Sequence, residues 1–142
     1  MVKIIGIAGT AKNTGKTTTT LALLEETQKR KIKTGLTSIG YDGEEIDNVT
    51  GLPKPRIMVS CGNIVAIAEK CLDVSTAEIE IIERTDFSTP LGKIMIGVIN
   101  KEGLVVLAGP NKSKDLKIII SLLKKHGSKF IIIDGALNRL VR

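Results

Sequence analysis

The apolar residues near both ends of the chain lie in short runs that predict strands. Residues 3–8 are almost all apolar, which is typical of a strand buried on both faces of a parallel sheet. Residues 17–31 follow a loop, and Leu21, Leu24 and a basic end predict a helix there. Residues 32–39 predict a second strand, so the chain opens in the order strand, loop, helix, strand. A final buried strand is predicted over residues 130–133.

Two further segments have apolar residues at the helical spacing i, i+3, i+4, i+7. The first begins after Gly62 and predicts a helix whose buried face carries Ile64, Ile67, Ala68 and Cys71. The second predicts a helix whose buried face carries Leu116, Ile119, Ile120 and Leu123. Lys124 and Lys125 end this second helix, and Gly127 supplies its stop signal.

The middle of the chain predicts shorter strands and one long loop. Residues 57–60 predict a short strand, and the alternation over 78–84 predicts a half-exposed one. Residues 93–99 and 104–108 predict two strands whose four-residue connection suits a hairpin with Gly103 at a positive φ. Glycines, prolines and acids over 41–55 predict a long functional loop or a small excursion of the chain. The fold class predicted is α/β, a three-layer arrangement with a largely parallel sheet and an antiparallel hairpin addition.

Composition narrows the class of protein. A chain of 142 residues with 42% hydrophobic and 25% charged residues predicts one globular domain and excludes disordered, collagen-like and coiled-coil classes. It has no apolar run long enough to span a membrane and no signal-peptide pattern, so a cytoplasmic protein without a membrane partner is expected. The net charge is +6, but with only three aromatic residues it favours a solvated surface over a nucleic-acid partner.

The cysteines and the single histidine do not form a recognisable site. Cys61 and Cys71 stand ten residues apart, a spacing that fits neither a zinc site nor a disulfide framework. Cys71 is explained by burial on a helix. His126 falls in the last turn of a predicted helix, where a histidine favours the helix C-terminus.

Residues 9–17 lie between a buried strand and a helix and carry the main chemical signal. A loop there turns backbone N–H groups and the positive end of the helix toward one point, which can hold polyphosphate oxygens. Lys16 would reach the β and γ phosphates as the catalytic cation, and the Thr17 hydroxyl would ligate Mg²⁺. The nucleotide-binding residues predicted are Thr10, Lys12, Asn13, Thr14, Gly15, Lys16, Thr17 and Thr18. The alternative is a glycine-rich turn that caps a helix.

Two acidic residues complete the predicted site. Asp134 follows four apolar residues and fits the carboxylate that holds the Mg²⁺ water shell, although a strand ending in an Asp-Gly turn is the alternative. Asp42 follows the second strand and is the candidate for orienting water or contacting the metal, with a plain acidic loop as its alternative. Asn100-Lys101 resembles the start of a guanine-reading motif, but Gly103 stands where that motif needs Asp, so the sequence gives no support for GTP specificity.

Five residues separate Gly9 from Gly15, one more than in the common phosphate loop. This variant resembles the phosphate loop of the dethiobiotin synthetases and their cobyric-acid-synthase-like relatives. Together with the phrases at residues 35–44, 89–92, 107–110 and 134–137, it resembles the P-loop subunits of lysine 5,6-aminomutase reactivases. The resemblance implies an ATP-dependent protein that acts with a second reactivase subunit on an adenosylcobalamin-dependent aminomutase.

Two other functions remain open at this point. A ligase of the dethiobiotin synthetase type would transfer the γ phosphate to a small carboxylate, and a passive module would bind nucleotide without hydrolysing it. Domains of this type normally continue past the strand that ends in the metal-binding acid, which here is Asp134. Residues 1–142 are therefore expected to be a P-loop nucleotide-binding domain that forms the N-terminal part of a longer protein, and a homodimer is a further expectation.

Overall fold

The computed structural model describes residues 2–7, 16–39, 56–89, 91–110 and 112–134. Three helices and eight strands lie in this part of the chain. In chain order they are β1 (Lys3–Ile7), α1 (Lys16–Lys29), β2 (Thr34–Ser38), β3 (Arg56–Val59), β4 (Ile64–Ala68), α2 (Glu69–Val74), β5 (Glu78–Thr89), β6 (Gly92–Lys101), β7 (Gly103–Val106), α3 (Ser113–Lys125) and β8 (Phe130–Asp134).

Six strands form the main sheet in the order β1-β8-β2-β4-β6-β5, and β3 pairs with β7 in a separate two-stranded sheet. β1, β8, β2 and β4 run parallel to one another, whereas β6 is antiparallel to β4 and β5 is antiparallel to β6. The chain is therefore an α/β protein with a mostly parallel sheet, as the pattern predicts. Every residue of β2, β4 and β8 is buried, which explains why these strands are continuous apolar or small-residue runs.

The buried faces of α1 and α3 differ in how apolar they are. The predicted face of α3 is confirmed, because Leu116, Ile119, Ile120 and Leu123 are all buried. In α1 the buried face is partly polar: Leu24 is buried together with Thr20 and Thr27, while Leu21 is 36% exposed. Thr27 satisfies its hydroxyl within the helix by donating to the Leu24 carbonyl at 3.0 Å, so the buried oxygen costs little.

The helix predicted from Gly62 onward is wrong over its first half. Residues Ile64–Ala68 form the central strand β4, and the helix α2 begins only at Glu69. The run Ile-Val-Ala-Ile-Ala is apolar at every position, so it fills both faces of a buried strand and matches the helical spacing only by coincidence. Cys71 does lie buried on the short helix, as expected.

The predicted hairpin between residues 93–99 and 104–108 is also wrong. β6 pairs with β4 and β5, and β7 pairs with β3 in the other sheet, so the chain changes sheet between them. Gly103 is not among the residues with positive φ. The antiparallel addition is instead the pair β5 and β6, which is connected through Leu91 and by a bond from the Thr89 hydroxyl to the Gly92 carbonyl.

The first strand is less buried than predicted. β1 lies at one end of the sheet order, and within the described residues β8 is its sole pairing partner. Lys3 and Gly6 are exposed, and Ile4 is 40% exposed. The prediction that this strand is buried on both faces is therefore wrong for β1. Within the described residues, β1 is an end strand that pairs with another strand on one side alone.

Candidate nucleotide-binding site

The carboxyl ends of three neighbouring strands meet at one edge of the main sheet. Ile7, the last residue of β1, is in register with Asp134 on β8, and Asp134 is in register with Ser38 on β2. α1 begins at Lys16 and contacts both β1 and β8. The connection from the first strand to its helix therefore starts beside Asp134, at the edge where parallel α/β sheets bind ligands.

Asp134 is held firmly at the end of its strand. Asp134 is only 2% exposed, and its backbone carbonyl accepts a hydrogen bond from the Ile39 N–H at 3.0 Å. Parallel pairing to β1 on one side and β2 on the other fixes the backbone. A buried carboxyl at this position needs a cation or donors nearby to be ionised, so it is suited to act with a metal ion.

The start of α1 favours an anion. Its first turn contains no acidic residue, and the first N–H groups of any α-helix lack partners within the helix. The positive end of the helix dipole adds a partial charge of about +0.5 at the same point. A phosphate group at this helix end would therefore be stabilised by backbone groups alone.

A buried segment after β7 closes the same edge from the side of β2 and β4. Residues 107–110 are all buried, and the Ala108 carbonyl accepts a hydrogen bond from the Ala68 N–H at 2.8 Å. The Gly109 N–H donates to the Ser38 hydroxyl oxygen at 2.9 Å. A Cβ atom on Gly109 would stand 2.2 Å from the Ser38 carbonyl oxygen, so only glycine allows this approach.

Ser38 and Gly109 are the site-forming residues that sequence reasoning missed. Residues 107–110 contribute to the family resemblance, but the sequence alone gives them no role. A Gly-Pro pair directly after an apolar run signals a turn. It does not say which strand the turn packs against, because that contact joins residues 71 positions apart.

The predicted site residues are only partly covered by the structure. Asp134 lies at the strand end described above, and the backbone of residues 16–18 forms the first turn of α1. The side chains of Lys16, Thr17 and Thr18 lie outside the described residues. The remaining predicted residues, which also lie outside them, are Thr10, Lys12, Asn13, Thr14, Gly15 and Asp42.

The described residues at this edge offer one carboxyl, that of Asp134, as a candidate metal ligand. In the part of the chain that the structure describes, no group of three or more histidine, cysteine, aspartate or glutamate side chains could hold a metal ion. Magnesium in nucleotide sites typically uses one or two protein oxygens and takes its other ligands from phosphates and water. One buried carboxyl beside a helix N-terminus suits that kind of coordination.

The other reactive side chains lie apart from this edge. Both cysteines are free; Cys61 is exposed, and burial raises the pKa of the Cys71 thiol to about 12. His126 is the C-cap residue of α3, as its position in the sequence predicts, and its Nε2 lies 2.6 Å from Glu83 Oε1 on β5. This contact, together with Lys125, lowers the pKa of Glu83.

Comparisons with protein-family models, curated proteins and solved structures find no match to this chain. Among the helices of the described residues, none combines the length and apolar character needed to cross a membrane.

Proposed function

We propose that the chain binds ATP with Mg²⁺ at the carboxyl edge of the main sheet. The observation that carries the proposal is the register of Ile7 with Asp134, with α1 starting at Lys16 against the same two strands. A triphosphate and its metal require a strand, a glycine-containing loop and a helix in that order, next to a strand that ends in an acidic residue.

Each residue has a defined role in this proposal. Residues 10–15 and the first turn of α1 wrap the phosphates, and Lys16 neutralises the charge that develops on the transferred phosphoryl group. Thr17 and Asp134 hold the Mg²⁺ and its water shell, and Asp42 orients the attacking water. The metal supplies charge neutralisation between the phosphates. The segment 107–110, tied to Ser38, borders the site and excludes water from it.

We further propose that hydrolysis serves a partner protein in the cytoplasm. The support is the resemblance of the sequence to the reactivase P-loop subunits, which favours an adenosylcobalamin-dependent aminomutase or a second reactivase subunit as the partner. The expected measurement is phosphate release from ATP that increases when the aminomutase complex is added. A small carboxylate that stimulates release in the absence of any protein partner would instead indicate a ligase.

Thermal unfolding tests the binding step directly. The melting temperature is measured without nucleotide, with ATP, with GTP and with each plus Mg²⁺. A ligand that binds only the folded state at 100 times its Kd adds about 2.7 kcal/mol to the free energy of unfolding. We expect ATP with Mg²⁺ to raise the melting temperature of the native chain but not of Lys16→Ala.

A matched control removes a lysine from the other end of the same helix. Lys29→Ala lies at the C-terminus of α1 and should keep the full nucleotide-dependent shift. Asp134→Asn should keep the shift caused by ATP alone and lose the extra shift caused by Mg²⁺. The proposal is wrong if ATP with Mg²⁺ shifts the native chain and Lys16→Ala equally.

A further inference from the structure

The opposite edge of the main sheet carries a dense group of positive charges. The amino ends of β1, β8 and β2 meet there, and α1 and α3 end beside them. We call the cations on these segments the amino-edge surface. Its members, all exposed, are Lys3, Lys29, Arg30, Lys31, Lys33, Lys124, Lys125 and Lys129.

Backbone hydrogen bonds join the central lysines, Lys3 at the start of β1 and Lys129 and Lys33 directly before β8 and β2. The Lys3 N–H donates to the Lys129 carbonyl at 3.0 Å, and the Lys129 N–H donates to the Lys33 carbonyl at 2.8 Å. Neighbouring strands are about 4.8 Å apart, so the backbones of the three lysines span about 10 Å. Lys3 is in register with Phe130, the residue after Lys129, so the Lys3 side chain leaves the sheet on the face opposite to that of Lys129. Their positions are fixed by the sheet rather than by a mobile loop.

Few carboxylates neutralise this surface. Arg30 contacts Glu26 at 3.1 Å, and Lys125 contacts Glu83 at 3.4 Å. Within the described residues, the other six members make no ion pair. Like charges this close repel one another, and that repulsion is relieved when an anionic partner binds.

One of these lysines occupies a backbone conformation that normally selects glycine. Both helices end in the same way: the Ile32 N–H donates to the Thr27 carbonyl at 2.9 Å after α1, and the Ser128 N–H donates to the Leu123 carbonyl at 3.0 Å after α3. This cap requires a left-handed residue just before the final donor. After α3 it is Gly127 with φ of 104°, but after α1 it is Lys31 with φ of 57°.

Helix capping explains the left-handed backbone at position 31 but not the presence of lysine there. Lys29 and Arg30 already place cations at the negative end of the α1 dipole, so a third charge adds little there. Glycine at position 31 would relieve the steric cost of the left-handed backbone. The left-handed residue therefore adds a further cation to the amino-edge surface, between the end of α1 and the start of β2.

We propose that the amino-edge surface binds an acidic segment of a partner protein. Among the described residues on these segments there is one guanidinium and no exposed aromatic ring, so the means of stacking on bases are missing. Ile4 is 40% exposed next to Lys3 and offers an apolar contact that a polypeptide can use and a phosphate backbone cannot. The surface lies a full strand length, about 16 Å, from the candidate nucleotide site and does not depend on nucleotide binding.

Two triple variants with the same net charge test this proposal. Lys31→Gln, Lys33→Gln and Lys129→Gln remove charge from the amino-edge surface. Lys70→Gln, Lys93→Gln and Lys114→Gln remove the same charge from exposed positions elsewhere. The probes are a fluorescent poly-glutamate peptide of about 20 residues and a DNA duplex of about 20 base pairs. Binding is followed by fluorescence anisotropy at about 50 mM and about 200 mM salt, after circular dichroism has shown that both variants are folded.

We expect the first triple variant to bind the acidic peptide about tenfold more weakly at the lower salt concentration, while the second changes binding less than twofold. Equal weakening in both variants would mean that only net charge matters and would overturn the proposal. Duplex binding that depends on the amino-edge lysines, without peptide binding, would also overturn it in favour of a nucleic-acid surface. Neither result bears on ATP binding, so the two proposals fail separately.

Discussion

Lys31 is the residue whose backbone conflicts most clearly with its side chain. A non-glycine residue in the left-handed region is strained by contact between Cβ and the next carbonyl oxygen. We expect Lys31→Gly to raise the free energy of unfolding by about 0.5–1 kcal/mol, after the loss due to the greater freedom of glycine in the unfolded chain. Urea denaturation at neutral pH measures this change.

Lys31→Ala separates strain from charge in that experiment. It removes the same ammonium group but keeps the Cβ atom, so the strain stays and stability should not rise. If alanine stabilises the protein as much as glycine does, charge repulsion at the amino-edge surface, and not the backbone, limits stability at position 31. Gly127→Ala, at the equivalent point after α3, should destabilise by about 1 kcal/mol.

Gly109 is the second residue at which a single methyl group decides the packing. Its missing Cβ lets the segment 107–110 lie against Ser38 and Thr37. Gly109→Ala would force backbone atoms apart, and we expect a loss of about 2–3 kcal/mol in urea denaturation. Ser38→Ala removes the hydroxyl that accepts the Gly109 N–H without adding atoms, so its loss should be smaller, about 1 kcal/mol. Unchanged stability of Gly109→Ala would show that this segment does not need its close approach to β2.

The contact between α3 and β5 is an element-scale feature that responds to pH. Glu83 on β5 accepts from His126 at 2.6 Å and from Lys125 at 3.4 Å, and these contacts lower the pKa of its carboxyl. A lowered folded-state pKa means that the stabilisation is complete above the unfolded value, about 4.3 for Glu, and is lost as pH falls through the folded value.

Glu83→Gln should therefore flatten the acid side of the stability profile. We expect it to cost roughly 0.5–1 kcal/mol at pH 6 and nothing below the folded pKa of Glu83, where the native carboxyl is also neutral. Melting temperatures of both proteins between pH 6 and pH 3 test this. Glu80→Gln, which removes the same charge but keeps an oxygen that can accept from the Asn100 amide, is the control and should run parallel to the native profile. A constant gap between native protein and Glu83→Gln at every pH contradicts the interpretation.

Elements with one clear period were predictable from the sequence, whereas ambiguous runs were not. The buried residues of α3 recur at helical spacing, and β8 contains a four-residue apolar run between Lys129 and Asp134 that is too short for a helix. Ile64–Ala68 is apolar throughout and satisfies both helical and strand spacing; the choice is made by partners on β2 and β6 that lie far away in sequence. The same reason explains β7, whose partner β3 precedes it by more than forty residues.

At the scale of the whole molecule, strand order determines what the site contains. The sequence predicts that Asp134 ends a strand and that residues 9–17 follow another, but not that these strands are neighbours. That adjacency comes from β8 inserting between β1 and β2, which a crossover through α3 makes possible. Likewise, the closing contact of Gly109 with Ser38 depends on the chain leaving β6 for the second sheet and returning over β2 and β4.

Cys71 offers a test of the whole molecule, because its thiol reacts only when the fold opens. The residue is fully buried and its pKa is raised to about 12, so the folded protein holds almost no reactive thiolate near pH 8. In a Cys61→Ser variant, which removes the exposed cysteine, labelling by a disulfide reagent should follow opening alone. ATP with Mg²⁺ at 100 times its Kd should slow labelling about 100-fold if the ligand binds only the folded state. Adding Lys16→Ala should remove the slowing while leaving the rate without nucleotide nearly the same. If Cys71 is labelled at the same rate with and without ATP, the nucleotide does not stabilise the folded protein. The nucleotide site proposed at residues 9–18 and Asp134 would then have to be abandoned.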